Sequence, residues 1–251
     1  MNTAVSATTT KPVVLSGNQL LSTLPPLEAA RWAAQLELVE LARGQILSEP
    51  GSAPSHVYFP TTAIVSLVYN TVDGDCSEIA VIGHDGLIGI SVFTGGSGMP
   101  NQAVVQSAGQ AYRLTARMVK DEVANSAAVL TMMLRYTQAM LAQVAQTAAC
   151  NRYHSVDQLL CRRLLLGLDR SDGYSLAMTQ EGAANLLGVR REGVTSAALK
   201  LQQAGVIRYS RGRISVLDRP QLEARTRNDA GFQARLGRSS NARFASEARA
   251  G

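Results

Sequence analysis

In the segment LLGVRREGVTSAALKLQQAG, residues 186–205, Arg191, Glu192, Thr195 and Ser196 recur at helical spacing, with Arg190 just before them and Lys200 beyond. On a helix such positions share a face. Arginine grips guanine O6 and N7 with two N–H groups, and glutamate accepts from the cytosine amino group. Thr195, Ser196 and Lys200, with Arg211 and Arg213 farther along, suit phosphate oxygens, which set register and affinity but carry little base information. Val194, Ala197, Ala198 and Leu201 lie on the other side and face inward. Gly193 lowers helix propensity by about 1 kcal/mol relative to alanine; its missing side chain is read as permitting close approach to DNA. The competing reading is an ordinary solvated helix hairpin.

The elements that must hold these side chains are legible around them. Thr179 is a candidate N-cap for a short helix, QEGAANLLG, which Gly188 closes. A second helix runs from about Arg190 to Gln203 and stops at Gly205. VIRYSRGRISVL then reads as two short strands around a Ser-Arg-Gly turn, with Arg208, Arg211 and Arg213 on or beside this wing. Helix, turn, helix and wing occur in that order. Charge follows the same division. Residues 1–178 carry 11 Lys and Arg against 13 Asp and Glu, whereas residues 179–251 carry 13 against 6, so the front is −2 and the back +7. A basic segment on a near-neutral one fits contact with a polyanion.

Upstream, LELVELARGQIL, SHVYFP, TAIVSLVYNTVDGD, CSEIAVIGHDG and QAVVQSAGQAYRL alternate strand-forming runs with Gly, Asp and Pro turns, which predicts an antiparallel sandwich or barrel. A short helix, PPLEAARWAAQ, precedes it. No proline or glycine interrupts residues 110–166, and Leu130, Leu134, Thr137, Leu141, Val144 and Ala148 alternate in steps of four and three. That spacing predicts a helix of some 27 residues whose seam meets a second copy. Ser155 and Gln158 have capping-box spacing and start another helix after a hinge at 151–155. The predicted divisions are a tail at 1–17, the β domain at 18–125, the long helix at 126–153, the basic unit at 154–218 and a basic unstructured tail at 219–251.

Composition excludes several classes. The chain has 251 residues, 46% hydrophobic and 17% charged, so it is globular in composition. No apolar run approaches the ~20 residues of a membrane span, and the first residues lack a secretory pattern. The three cysteines, Cys76, Cys150 and Cys161, are odd in number and scattered, which points to a reducing cytoplasm. They are too few for an iron–sulfur cluster with four cysteine ligands, although Cys150, near the seam, is a candidate thiol sensor. The three histidines, His56, His84 and His154, lack metal-ligand spacing, which argues against a metal site and against a cupin-like β-barrel enzyme. A protein-interaction module with a basic tail is the other alternative.

Taken together, VYFPTTAIVSLVY, HDGLIGISVF and, most specifically, MTQEGAANLLGVRREGVTSAALKLQQAGVI resemble the Crp–Fnr family of bacterial transcription regulators over residues 20–218. The resemblance implies an α+β fold: an N-terminal antiparallel β-roll of the cyclic-nucleotide-binding type (a double-stranded β-helix), a long dimerisation helix and a C-terminal winged helix-turn-helix. It implies a homodimer on a palindromic operator in double-stranded DNA, with half-sites about one helical turn apart, and contact with RNA polymerase. Members that bind cyclic AMP carry a glutamate after the cassette glycine and an arginine for the cyclic phosphate. Here Ile90 follows Gly89 and the later segment reads Asn101, Gln102, Ala103. No Lys or Arg occurs between Gly44 and Tyr112, and no Glu between Ile79 and Asp121. A buried phosphate without a cation is costly, so the expected effector is not cyclic AMP, and no cofactor is predicted. The alternative is a cyclic nucleotide or dinucleotide held by backbone N–H groups of the Gly95-Gly96-Ser97-Gly98 loop. Ser196 stands where the catabolite activator has a third groove arginine, so a different half-site is expected.

Overall fold

The computed structural model describes residues 15–72, 74–171 and 173–226. Seven antiparallel strands form the N-terminal roll: β1 (Glu37–Leu41), β2 (Ile46–Ser48), β3 (His56–Pro60), β4 (Ile64–Asn70), β5 (Cys76–Ile82), β6 (Gln102–Ser107) and β7 (Gly109–Thr115). They make two sheets, ordered β1-β7-β3 and β2-β6-β4-β5. Val57, Phe59, Val65, Val105 and Leu114 fill the space between them. Helix α1 (Pro26–Ala33) begins on a proline, whose fixed φ suits the first turn. It buries Trp32 edge-on against Phe59, ring centroids 5.7 Å apart. A short helix, α2 (Ser91–Thr94), interrupts the path between β5 and β6.

Thr115 caps α3 (Ala116–Asn125) and Ser126 caps α4 (Ala127–Tyr153), each hydroxyl accepting the N–H three residues on. One face of α4 buries Met132, Met133, Tyr136 and Met140 against the roll. After a break at His154, Ser155 and Gln158 complete the capping box of α5 (Val156–Leu168). The C-terminal unit continues through β8 (Ser175–Ala177), α6 (Gln180–Leu187), α7 (Arg191–Gln203), β9 (Ile207–Ser210) and β10 (Arg213–Val216), with sheet order β8-β10-β9. Leu160, Leu164, Val194, Ala197, Leu201 and Ile214 form its own core.

The division at 218 needs correction. A further helix, α8 (Arg219–Thr226), lies against α5, with Leu222 fully buried and Arg219 bridging Asp169 and Glu223 at 2.5 and 2.8 Å. The predicted unstructured tail therefore starts no earlier than residue 227, and residues 227–251 lie outside the described residues. At the other end, Leu15–Gly17 form a 3-10 turn with Leu15 packed on the roll core, so these three residues are not tail; residues 1–14 lie outside the described residues. Among the described residues no helix is long and apolar enough to cross a membrane.

Candidate nucleic-acid interface

Thr179 Oγ1 accepts from Gly182 N at 2.9 Å and starts α6; Gly188, φ 64°, ends it in the left-handed region that lets the chain turn sharply into α7. The two helices are closed from within by Ala183, Ala184, Val194, Ala197, Ala198 and Leu201, all buried. Because α7 buries that stripe, its other face is presented to solvent. Arg190, Arg191, Glu192, Thr195, Ser196 and Lys200 are all exposed. Arg190 is the N-cap residue, and Arg191 and Glu192 occupy the first turn.

Not all of these side chains are at liberty. Thr195 Oγ1 lies 2.9 Å from Gln180 Oε1 and 3.0 Å from Arg191 O, so its single proton is shared between α6 and the preceding turn of α7. Lys200 Nζ sits 3.1 Å from Asp157 Oδ2 on α5. The suggested role of Gly193 is not what the structure shows. A Cβ there would meet Val156 of α5 at 3.6 Å, so the position faces the neighbouring helix rather than the solvent-exposed side of α7. The wing is a two-residue turn, Arg211-Gly212, with φ 49° and 72°. It replaces the Ser-Arg-Gly turn read from sequence, because Ser210 pairs with Arg213 and belongs to β9. Arg211 and Arg213 are exposed on this hairpin.

The stripe on α4 is equally plain. Leu130, Leu134 and Leu141 are 38%, 55% and 66% exposed on a helix whose opposite side is buried. Thr137 and Val144 are half-buried and Ala148 exposed beside them. Cys150 is buried rather than displayed on the stripe. Burial pushes the Cys161 thiol up to about 11, which keeps it protonated and unreactive at neutral pH.

Of the candidate effector residues, Gly89, Ile90 and Asn101 line one cavity of about 20 Å³ in the roll, room for a single water. Gln102 instead donates to Glu49 at 2.8 Å, and Ala103 is buried in the sheet opposite Leu67. The cavity lining contains no Lys or Arg, but it includes Met140 of α4. In the glycine loop, Gly95 (φ 85°) ends α2, and a Cβ on Gly98 would strike the backbone of Gly51 at 2.6 Å. A left-handed helix end thus accounts for one of its glycines and close packing for another.

Sequence reasoning missed the contacts that hold the two units together. Arg163 of α5 meets Glu78 of β5 at 2.7 Å with both side chains buried, and Ser66 donates to the same carboxylate. Arg170 grips Asp85 with two prongs, 3.1 and 2.6 Å, over Gly83, where any Cβ would collide with the arginine stem at 2.7 Å. A lone glutamate inside the apolar strand CSEIAVI was the available signal.

Residues 159–225 match the family of Crp-like helix-turn-helix domains. No curated protein matches the chain. Among solved structures it is similar to a Crp/FNR-family protein of Eubacterium rectale, 18% identical over 83% of this chain and 98% of that one, TM-score 0.66. TTHB099, a CRP-family transcriptional regulator of Thermus thermophilus, is 18% identical over 75% and 96%, TM-score 0.64. The c-di-GMP-responsive regulator CLP of Xanthomonas campestris is 15% identical over 75% and 97%, TM-score 0.60. At such identities the structural matches speak to fold, and the matched domain speaks to DNA. A Crp-like helix-turn-helix domain at residues 159–225, carried on a fold shared with Crp/FNR proteins, marks the chain as a DNA-binding regulator.

Proposed function

We propose that the protein acts as a homodimer on a palindromic operator and contacts RNA polymerase there, in the cytoplasm. Arg190, Arg191 and Glu192 read base edges, and Ser196, Arg211 and Arg213 hold phosphates. Thr195 and Lys200 brace the reading head through Gln180 and Asp157. The observation that carries this reading is α7 itself: its first-turn Arg and Glu stand exposed and uncommitted on a helix whose opposite face is fixed in the core. The two α4 helices pair through Leu130, Leu134, Thr137, Leu141, Val144 and Ala148. An effector other than cyclic AMP is favoured, because the lining of the roll cavity offers a cyclic phosphate no cation. An effector of other chemistry, or none, acts through Met140, which links that cavity to α4.

Selection of duplexes from a random pool should return a palindrome with half-sites about one helical turn apart. Arg191→Ala should cost roughly 1–3 kcal/mol of duplex affinity and relax base preference at its position. Arg213→Ala should weaken all duplexes alike and flatten the salt dependence. Salt-sensitive binding with no preferred site refutes sequence-specific reading, and exchange of the two mutant phenotypes refutes the assigned roles.

A further inference from the structure

The seam between the roll and the reading head holds more positive charge than it neutralises. Arg162 and Arg163, neighbours on α5, border a cavity of about 20 Å³ whose walls also include Glu78, Gln143, Thr147 and Leu187. Glu78 is the one carboxylate on that lining, and it is committed to Ser66 and Arg163. Even so, Arg163 Nε approaches Glu78 off-line and, fully enclosed, has no aligned hydrogen bond. Arg162 reaches only the Thr147 hydroxyl, 3.2 Å from Nη2, and has no carboxylate partner among the described residues. Burial makes Arg162 harder to protonate than usual; Cys150 and Glu78 offset part of this, while Arg170 and Arg163 add to it.

An enclosed guanidinium nitrogen without an aligned acceptor, as at Arg163 Nε, is unfavourable unless an opposite charge meets it. The lining offers the N–H groups of both arginines, of which Arg163 Nε is enclosed without an aligned acceptor, and the amide of Gln143, one N–H of which goes to Val81 O at 3.0 Å. We infer that this seam is an oxyanion site, in which a phosphate-type group places one oxygen in the cavity between the guanidiniums of Arg162 and Arg163. Planar, paired N–H donors match an oxyanion better than a halide, and the void takes one oxygen-sized atom. Its walls come from β5, α4, α5 and α6, so an occupant ties the reading head to the roll and to α4. The site stands whatever α7 binds; only its effect on duplex affinity rests on the function proposed above. That effect is reciprocal: phosphate and duplex alter each other's affinity by the same factor.

Isothermal titration of inorganic phosphate into the full chain, without DNA and at constant ionic strength, is expected to show one site per chain. Arg162→Gln should weaken it roughly tenfold or more, and Arg162→Lys by less. Circular dichroism confirms that each variant is folded, and phosphorus NMR line broadening on the unaltered protein reports binding without any variant. Adenosine monophosphate serves as a second probe. Tighter binding than inorganic phosphate identifies the phosphoryl end of a metabolite as occupant, and weaker binding identifies free phosphate. The site is refuted by absence of heat and broadening, by an equal response to chloride, or by an unchanged isotherm in Arg162→Gln. Loss of binding in Arg191→Ala instead would place the anion on α7 and refute it too. A duplex titration run in parallel separates the two ideas: phosphate binding without duplex binding would sink the regulator reading and leave this site standing.

Discussion

Arg211 turns the wing with φ 49°, the one non-glycine residue at positive φ among the described residues. A two-residue hairpin turn of this kind needs positive φ at both central positions, and Gly212 meets that need without steric cost. An arginine there carries strain of about 1 kcal/mol. Asparagine adopts the conformation more readily, and the guanidinium stands exposed at the tip of the hairpin. Arg211→Asn should raise stability by roughly 0.5–1 kcal/mol in thermal unfolding and lower the salt slope of duplex binding by about 1. A higher stability with an unchanged slope would remove Arg211 from the phosphate set, and a lower stability would refute the strain. Single residues were legible in the sequence where their partners are local. The caps Thr179 and Ser155 find their N–H groups within three residues. Thr195, Lys200 and Gly193 were not, because Gln180, Asp157 and Val156 reach them from other helices.

Helix α7 shows what that limit does to an element. With nothing nearer than Val156 at 3.6 Å, a methyl group at Gly193 makes ordinary contact. Gly193→Ala should therefore stabilise the C-terminal unit by about 1 kcal/mol through helix propensity, seen as a higher unfolding temperature with duplex affinity kept. Destabilisation would show that α5 and α7 are packed too tightly for a methyl, and a selective loss of duplex binding would restore the DNA-approach reading. The elements recovered from sequence are those with a repeating pattern, such as the strands of the roll and the seam of α4. By contrast, α8 reads RPQLEART, a single leucine among polar residues, so no stripe announces it. Leu222 and the Arg219 ion pairs define it only once α5 is present as a partner. The three-residue β8 was hidden for a similar reason, since β10 supplies all its pairing.

At the scale of the molecule, two buried ion pairs and α6 fix the reading head on the roll, while α4 leaves its leucine stripe to solvent. Sequence periodicity exposed the stripe; it was silent on the docking, which depends on Glu78–Arg163 and Asp85–Arg170, pairs 85 residues apart in chain position. Apolar surface of this kind, set at heptad spacing on a rigid 27-residue helix, gains stability when two copies pack it together. Leu134 and Leu141 stand one heptad apart and contribute little to their own chain's core, being 55% and 66% exposed. Replacing both with glutamate, Leu134→Glu with Leu141→Glu, should leave the protomer folded, with its circular dichroism unchanged, because no core contact is lost. It should place two carboxylates against their copies across the seam, where burial and like charge oppose association. Sedimentation should then report a monomer. Duplex affinity should fall to that of a single half-site, and deleting the second half-site from the operator should no longer matter. A dimer that forms with both glutamates in place would refute pairing through α4. A monomer that still distinguishes a full palindrome from a half-site would mean that DNA, rather than the helix seam, brings the two reading heads together.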